Sequence, residues 1–278
     1  MNNYTVNFTS PETSTDSPIQ STGPLEICVF IIILLFGLPT LFYVIWLIIT
    51  GTGNGVASEF FILNHFVCEI GNCLLCIFDA MVMWFSCLNI VSNFLRGLAI
   101  TGRPLFQCLI CVERYLAVVY PVTFLRFKPL MCRVICCIVV WILIIGSCLC
   151  SMFMLMFSNS TVHMWFFALQ FLLFFSIQLF CLVAVLRALK QSGPGERRRE
   201  RKEENHMKRR AFYIILITTL SIAIIYVPYI IMGFSSILTH RLIKELSTFS
   251  YVCYVLAGFV QPVLFLQRAG KLPCFCSP

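Results

Sequence analysis

The chain has 278 residues, of which 59% are hydrophobic and only 12% are charged, and its formal net charge is +8. So large an apolar fraction excludes an ordinary soluble domain and favours a membrane protein. The positive charge is concentrated in residues 196–210. A basic run of this kind between apolar stretches contacts anionic lipid headgroups or an acidic partner more often than nucleic acid, so we expect membrane lipids among the partners and no nucleic acid.

Seven stretches are long and apolar enough to be membrane-spanning helices, which need about 20 residues each. Five of them contain no Asp, Glu, Lys or Arg, whereas the second and third carry charges. In chain order the predicted spans, named first to seventh below, are residues 27–49, 60–84, 87–119, 134–157, 164–186, 212–237 and 246–267. The predicted fold class is therefore an all-α membrane protein, a bundle of seven transmembrane helices within residues 27–268.

The distribution of Lys and Arg outside the spans predicts the orientation, because basic residues near helix ends are held on the cytoplasmic side. They collect in the third loop, the fifth loop and the tail. Residues 1–26 are therefore predicted to be an extracellular segment and residues 269–278 a short cytoplasmic tail, with the first span as the membrane signal. The sequons at Asn3, Asn7 and Asn159 fall on the outer side and are predicted glycosylation sites.

The sixteen cysteines and four histidines do not form a metal or catalytic pattern. Most of the cysteines lie inside spans, where they act as small apolar residues without acidic or histidine partners. No Ser/His/Asp set converges, so we expect no enzyme activity, no metal and no other cofactor. Cys274 and Cys276 follow the last span, where the alternatives are reversible palmitoylation and an inert tail.

Four charged residues inside the second and third spans need partners, because an ionised side chain at bilayer depth costs about 2.5 to 3.5 kcal/mol. Arg96 and Arg103 are two helical turns apart and share one face of the third span. In antiparallel helices Glu69 then meets Arg103, and Asp79 lies near Arg96 with a less favourable helical phase. Arg96 has an alternative role, which is to hold an anionic ligand group in an outward cavity.

Short motifs stand at the ends and centres of the spans. They are Glu113-Arg114-Tyr115 followed by "LAVVYPVTF", Trp141 in the fourth span, "YVPY" at 226–229 and "QPVLF" at 261–265. With seven spans and an outer N-terminus, this pattern resembles the rhodopsin-like (class A) G-protein-coupled receptors over residues 27–270. It is also similar to fish orphan receptors of that class.

The resemblance implies a multi-pass plasma-membrane receptor that passes an extracellular ligand signal to heterotrimeric G proteins. The residues it implies in G-protein coupling are Glu113, Arg114, Tyr115, Val122, Lys208 and Arg209. Those implied in the activation switch are Tyr226, Pro228, Gln261, Pro262 and Phe265, and the implied ligand pocket contains Arg96 and Tyr226. Arg114 would be released from Glu113 when the sixth span moves outward about Pro228.

The chain also departs from the family pattern. Tyr226 stands where the family has tryptophan, and Lys208 stands where an acid can lock the triplet arginine. Arg103 takes the place of the family's sodium ion beside the second-span acid, so no sodium site is expected. Asn89 occupies the position of the family's disulfide cysteine, which implies that this disulfide is absent. Two alternatives stay open, a receptor-like protein with constitutive or lost signalling and a small-solute transporter, although we find no internal repeat of the transporter kind.

Overall fold

The computed structural model describes residues 28, 31–50, 59–82, 84–127, 129–157, 160–190, 198–239 and 244–268. Throughout these residues the regular structure is helical, and they contain no strand. Five of the predicted modification sites lie outside the described residues. They are Asn3, Asn7, Asn159, Cys274 and Cys276. The side chains of Lys208 and Arg209 also lie outside the described part, although the helix that carries them is described.

Six helices are long and apolar enough to cross a membrane. Their bounds are Ile33–Thr50, Phe60–Val82, Ser86–Val119, Leu130–Met156, Thr161–Ala188 and Phe212–Thr239. Two of these are composite. The first joins the π-helical turn Ile33–Gly37 to Leu38–Thr50, and the third joins the 3-10 turn Ser86–Leu88 to Asn89–Val119. Two others belong to longer helices, the fifth to Ser160–Lys190 and the sixth to Arg198–Thr239. An all-helical fold with six membrane-spanning candidates is thus confirmed.

The predicted seventh span differs from the expectation of one continuous helix. It consists of two helices, Lys244–Gly258 and Val260–Arg268, and both are shorter than the roughly 20 residues that a membrane crossing needs. Pro262 explains the break, because proline lacks an amide donor and its ring clashes with the carbonyl four residues earlier, which is that of Gly258. The Phe259 amide donates instead to the Leu256 carbonyl at 3.2 Å. The complete seven-helix bundle and its orientation stay predictions.

The third span is the centre of the bundle. Its helix Asn89–Val119 packs against the second, fourth, fifth and sixth spans. Two short helical elements flank it, the 3-10 turn Ser86–Leu88 before it and the helix Pro121–Phe127 after it. At Gly97 its backbone touches the fourth span, since a Cβ atom there would lie 2.4 Å from the Cα of Cys148. Small residues permit this kind of close helix contact in membranes.

The lateral surface of the bundle is apolar. Large aliphatic side chains on the fourth and fifth spans, among them Ile142, Leu143, Leu169 and Leu173, are more than half exposed. A contiguous apolar surface of this extent is a liability in water but is the normal surface of a helix that faces lipid. The charged side chains of Glu69 and Arg103, on the second and third spans, are instead buried in the bundle and belong to the site described next.

Candidate functional site

Among the described residues, three ion pairs join an acid on or just before the second span to an arginine of the third span. They join Asp79 to Arg96 at 3.2 Å, Glu69 to Arg103 at 2.6 Å and Glu59 to Arg114 at 3.9 Å. The helices are antiparallel, so from the first of these pairs to the last the residue numbers of the acids decrease while those of the arginines increase. We call them the upper, middle and lower pairs, the upper end being where the second span ends and the third begins. The arginines extend over 18 residues, about 27 Å of helix.

The middle pair is buried and bidentate. Arg103 Nε donates to Glu69 Oε1 and Arg103 Nη2 donates to Glu69 Oε2, each at 2.6 Å, and both side chains are less than 5% exposed. The third guanidinium nitrogen, Nη1, donates to the Tyr254 carbonyl at 3.1 Å, and Arg103 Cζ lies 4.3 Å from the centre of the Tyr254 ring. Arg103 therefore ties the second, third and seventh spans together, and its charge is neutralised where an unpaired one would cost several kcal/mol.

The upper pair is different in geometry and in exposure. Its single contact joins Arg96 Nη2 to Asp79 Oδ1, and the two side chains are 44% and 37% exposed. Ser92 Oγ donates to the same carboxylate oxygen. Within the described residues Arg96 Nε has no hydrogen-bond partner. In the middle pair, by contrast, all three nitrogens of Arg103 and both oxygens of Glu69 are hydrogen-bonded.

A cavity of about 100 Å³, the upper cavity, opens beside the upper pair. Its lining includes Asp79 and Arg96 together with four aromatic residues, Phe167, Tyr226, Tyr229 and Tyr254. Arg96 and Tyr226, the two residues expected in a ligand pocket, thus meet at one cavity. A smaller cavity of about 40 Å³ lies beside the middle pair, and Tyr254 lines both.

Tyr226 connects the sixth span to the third between the upper and middle pairs. Its hydroxyl donates to the carbonyl of Ile100 at 3.3 Å and lies 3.4 Å from that of Ala99. Its ring stacks on Phe171 with centroids 5.7 Å apart and lies 5.4 Å from Phe167, both on the fifth span. A side chain that touches the cavity, the third span and the fifth span can transmit a change in any of them to the sixth.

At the lower end the structure ties the acid-Arg-Tyr triplet to two neighbouring helices. Glu113 Oε1 accepts from Arg133 Nη2 of the fourth span at 2.6 Å, with both side chains less than 10% exposed. Arg114 Nη2 lies 3.9 Å from Glu59 Oε2, just before the second span. These two ion pairs tie Glu113 and Arg114 to neighbouring helices, and the release of Arg114 from Glu113 that the resemblance implies stays a prediction.

The other residues expected at the coupling surface and the switch are distributed as follows. The Tyr115 ring packs edge-on against Tyr120 and Phe180, with centroids 5.9 and 5.8 Å apart. Val122, on the short helix Pro121–Phe127, is 71% exposed. Pro228 lies inside the continuous sixth helix. In the seventh span Gln261 and Pro262 are buried, and Phe265 packs edge-on against Phe66 of the second span, with centroids 6.1 Å apart.

Sequence reasoning missed Glu59, Arg133 and Tyr254. Glu59 lies ten residues before Glu69, just as Asp79 lies ten residues after it, so the even spacing of the acids was a usable signal. Arg133 lies one residue before the predicted fourth span, residues 134–157, so it was not among the charges inside the apolar spans for which a partner was sought. Tyr254 gave no signal, since its contact with Arg103 depends on how the seventh span packs.

The described cysteines are free thiols, and Cys28, Cys87 and Cys150 among them are exposed. Within the same residues no group of three or more His, Cys, Asp or Glu side chains could hold a metal ion.

Comparison with known proteins gives one informative relative. No family model matches the chain. Over 173 residues the chain is 28% identical to Chemokine XC receptor 1 of Homo sapiens, and the match covers 56% of this chain and 51% of the relative. The relative is a receptor. The chain thus spans about half the length of the curated receptor that it matches, and the likeness together with six apolar helices supports a receptor-like, multi-pass membrane protein.

Proposed function

We propose that the chain is a rhodopsin-like G-protein-coupled receptor of the plasma membrane. It takes an extracellular ligand into the upper cavity and signals to a heterotrimeric G protein at the lower end of the third span. The observation that carries this proposal is the continuity of contacts along that span, from Arg96 at the cavity through Arg103 to Arg114. The likeness to a receptor supports the same conclusion.

The coupling step is a shift between two arrangements of the sixth span. Tyr226 contacts the upper cavity and the third-span carbonyl of Ile100, and Pro228 lies two residues further along the same helix. A ligand that contacts Tyr226 differently in the two arrangements changes their populations, since only differential affinity moves such an equilibrium. The weakened backbone bonding at Pro228 places the bend there. Outward movement of the sixth span then opens the lower end.

At the lower end Arg114 is the group that meets the G protein. In the closed arrangement it lies beside Glu59, and Glu113 is held by Arg133. In this proposal the opening of the lower end separates Arg114 from Glu59 as well as from Glu113. Val122 on its short exposed helix, and the basic residues Lys208 and Arg209 at the start of the sixth span, flank the opening in this proposal.

The test is nucleotide exchange on a purified heterotrimeric G protein with the full chain in nanodiscs. Arg114→Ala should abolish the exchange that the wild-type chain stimulates, because the charged group that enters the partner is removed. Arg187→Ala is the matched control, since Arg187 is an exposed arginine near the lower end of the fifth span. Exchange above that of empty nanodiscs that is equal for wild type and Arg114→Ala contradicts the proposal.

One observation favours constitutive signalling as a second candidate. The lower pair is separated by 3.9 Å, against 2.6 Å in the middle pair, so its contribution to the closed arrangement is small. A weak restraint on Arg114 leaves the open arrangement populated without ligand. Basal exchange above that of empty nanodiscs, abolished by Arg114→Ala, supports this variant, and basal exchange equal to that of empty nanodiscs contradicts it.

A further inference from the structure

The charged groups at the upper cavity cancel each other. Asp79 and Arg96 are the charged side chains among the described residues that line it, and they are 3.2 Å apart. His163 also lies in the wall, where its Nε2 is 3.2 Å from Ser151 Oγ of the fourth span. A ligand with one net charge gains from one member of the pair and is repelled by the other. The wall therefore disfavours simple anions and simple cations alike.

Both members of the pair can still bind a ligand. Each is more than a third exposed, and their mutual contact uses one nitrogen and one oxygen. A carboxylate has two oxygens with about four lone-pair sites, and a guanidinium has five N–H donors. A ligand that carries a carboxylate for Arg96 and an ammonium for Asp79 satisfies both groups at once and leaves no charge without a partner.

The rest of the wall suits one aromatic ring. Phe167, Tyr226, Tyr229 and Tyr254 surround a space of about 100 Å³. A closed apolar cavity of about 150 Å³ admits benzene, so the upper cavity, at about 100 Å³, has room for no more than one ring. It is far too small to admit a folded protein domain. Tyrosine and phenylalanine faces also attract the edge of a ring or an ammonium group.

We propose that the upper cavity binds a small zwitterion that carries one aromatic ring, of the aromatic amino acid class. The inference deepens the proposed function and rests on it for the role of the ligand as the stimulus. It extends the expectation of an anionic ligand group at Arg96, because Asp79, 3.2 Å away, requires that the same ligand also carry a cationic group.

The test uses three probes with the same ring and different charges, namely L-phenylalanine, phenethylamine and 3-phenylpropionate. Binding is measured by isothermal titration on the purified full chain in nanodiscs. Wild type should bind L-phenylalanine at least tenfold more tightly than either of the other two. Asp79→Asn should shift the preference to 3-phenylpropionate and Arg96→Gln to phenethylamine, while the double variant should show no charge preference.

Each single variant gains a ligand, so a gain of binding also reports that the variant is folded. The inference is overturned if wild type binds none of the probes at millimolar concentration, or binds the amine or the acid as tightly as phenylalanine. It is equally overturned if both substitutions weaken all three probes alike. The readout contains no G protein, which separates the two proposals. Binding with the expected charge preference but without Arg114-dependent exchange contradicts the proposed function alone, and the reverse contradicts this inference alone.

Discussion

The middle and upper ion pairs show how one pair of helices can use the same chemistry for two purposes. Glu69 and Arg103 are buried, bidentate and further tied to Tyr254, so every nitrogen of Arg103 and both oxygens of Glu69 are bonded within the bundle. Asp79 and Arg96 share one contact and are more than a third exposed. The middle pair therefore fixes the helices, and the upper pair retains capacity for a ligand.

The largest effect should come from breaking the middle pair. Arg103→Gln or Glu69→Gln leaves one buried charge without its partner and should lower the free energy of unfolding by about 3–5 kcal/mol. The double substitution should recover part of the loss, measured by unfolding in mixed micelles. Losses that simply add would show that the two residues act independently.

The third span, which carries both arginines, is held closely against the fourth, and Gly97→Ala tests this contact. The added Cβ would lie 2.4 Å from the Cα of Cys148, so the helices must separate, at a cost of about 1–3 kcal/mol. Gly146→Ala is the control, because nothing lies within 4 Å of a Cβ at that position. A loss of unfolding free energy at Gly146 equal to that at Gly97 would count against the close contact.

The upper pair should show a smaller, salt-dependent coupling. A double-mutant cycle of Asp79→Asn and Arg96→Gln should give about 0.2–1 kcal/mol, since both groups are partly exposed. Raising the salt concentration should reduce this coupling and leave that of the middle pair nearly unchanged, because salt screens exposed charges more than buried ones. Equal salt dependence in the two cycles would remove the distinction between them.

The smallest change in stability is expected at the lower pair. Glu59→Gln should alter the free energy of unfolding by an amount near the bottom of the range of about 0–1 kcal/mol found for ion pairs, because the groups are 3.9 Å apart. It should nevertheless raise basal nucleotide exchange, since Arg114 loses its neighbour. Arg187→Gln controls for the loss of a charge near the same end and should leave exchange unchanged.

Much of this arrangement is readable from the sequence because lipid imposes simple rules. A run of about 20 apolar residues has one stable backbone conformation in a bilayer, and the first six runs are helices of that length. Depth along antiparallel helices also indicated that Glu69 meets Arg103, and the structure places them in contact. Both signals are read from positions in the sequence, the first from the length of an apolar run and the second from the distance of each charge to the end of its span.

The parts that sequence reasoning did not provide depend on events at helix ends and between distant helices. The break between Gly258 and Val260 follows from Pro262, yet a count of apolar residues gives proline no weight. Glu113 and Arg133 meet because the chain turns through the short helix Pro121–Phe127 before the fourth span starts. The geometry of that turn is set by tertiary packing and has no period that can be read in advance.

The spacing of the three pairs restricts how the two helices can move. The acids are ten residues apart in the second span and just before it, whereas the arginines are seven and then eleven residues apart along the third. Because the two spacings differ, all three pairs form together at only one position of the helices relative to each other. A shift of one helix along the other by one turn, about 5.4 Å, would separate the partners of all three pairs at once. The three pairs therefore hold the second and third spans in one relative position, and we expect any functional movement to occur in the helices around them.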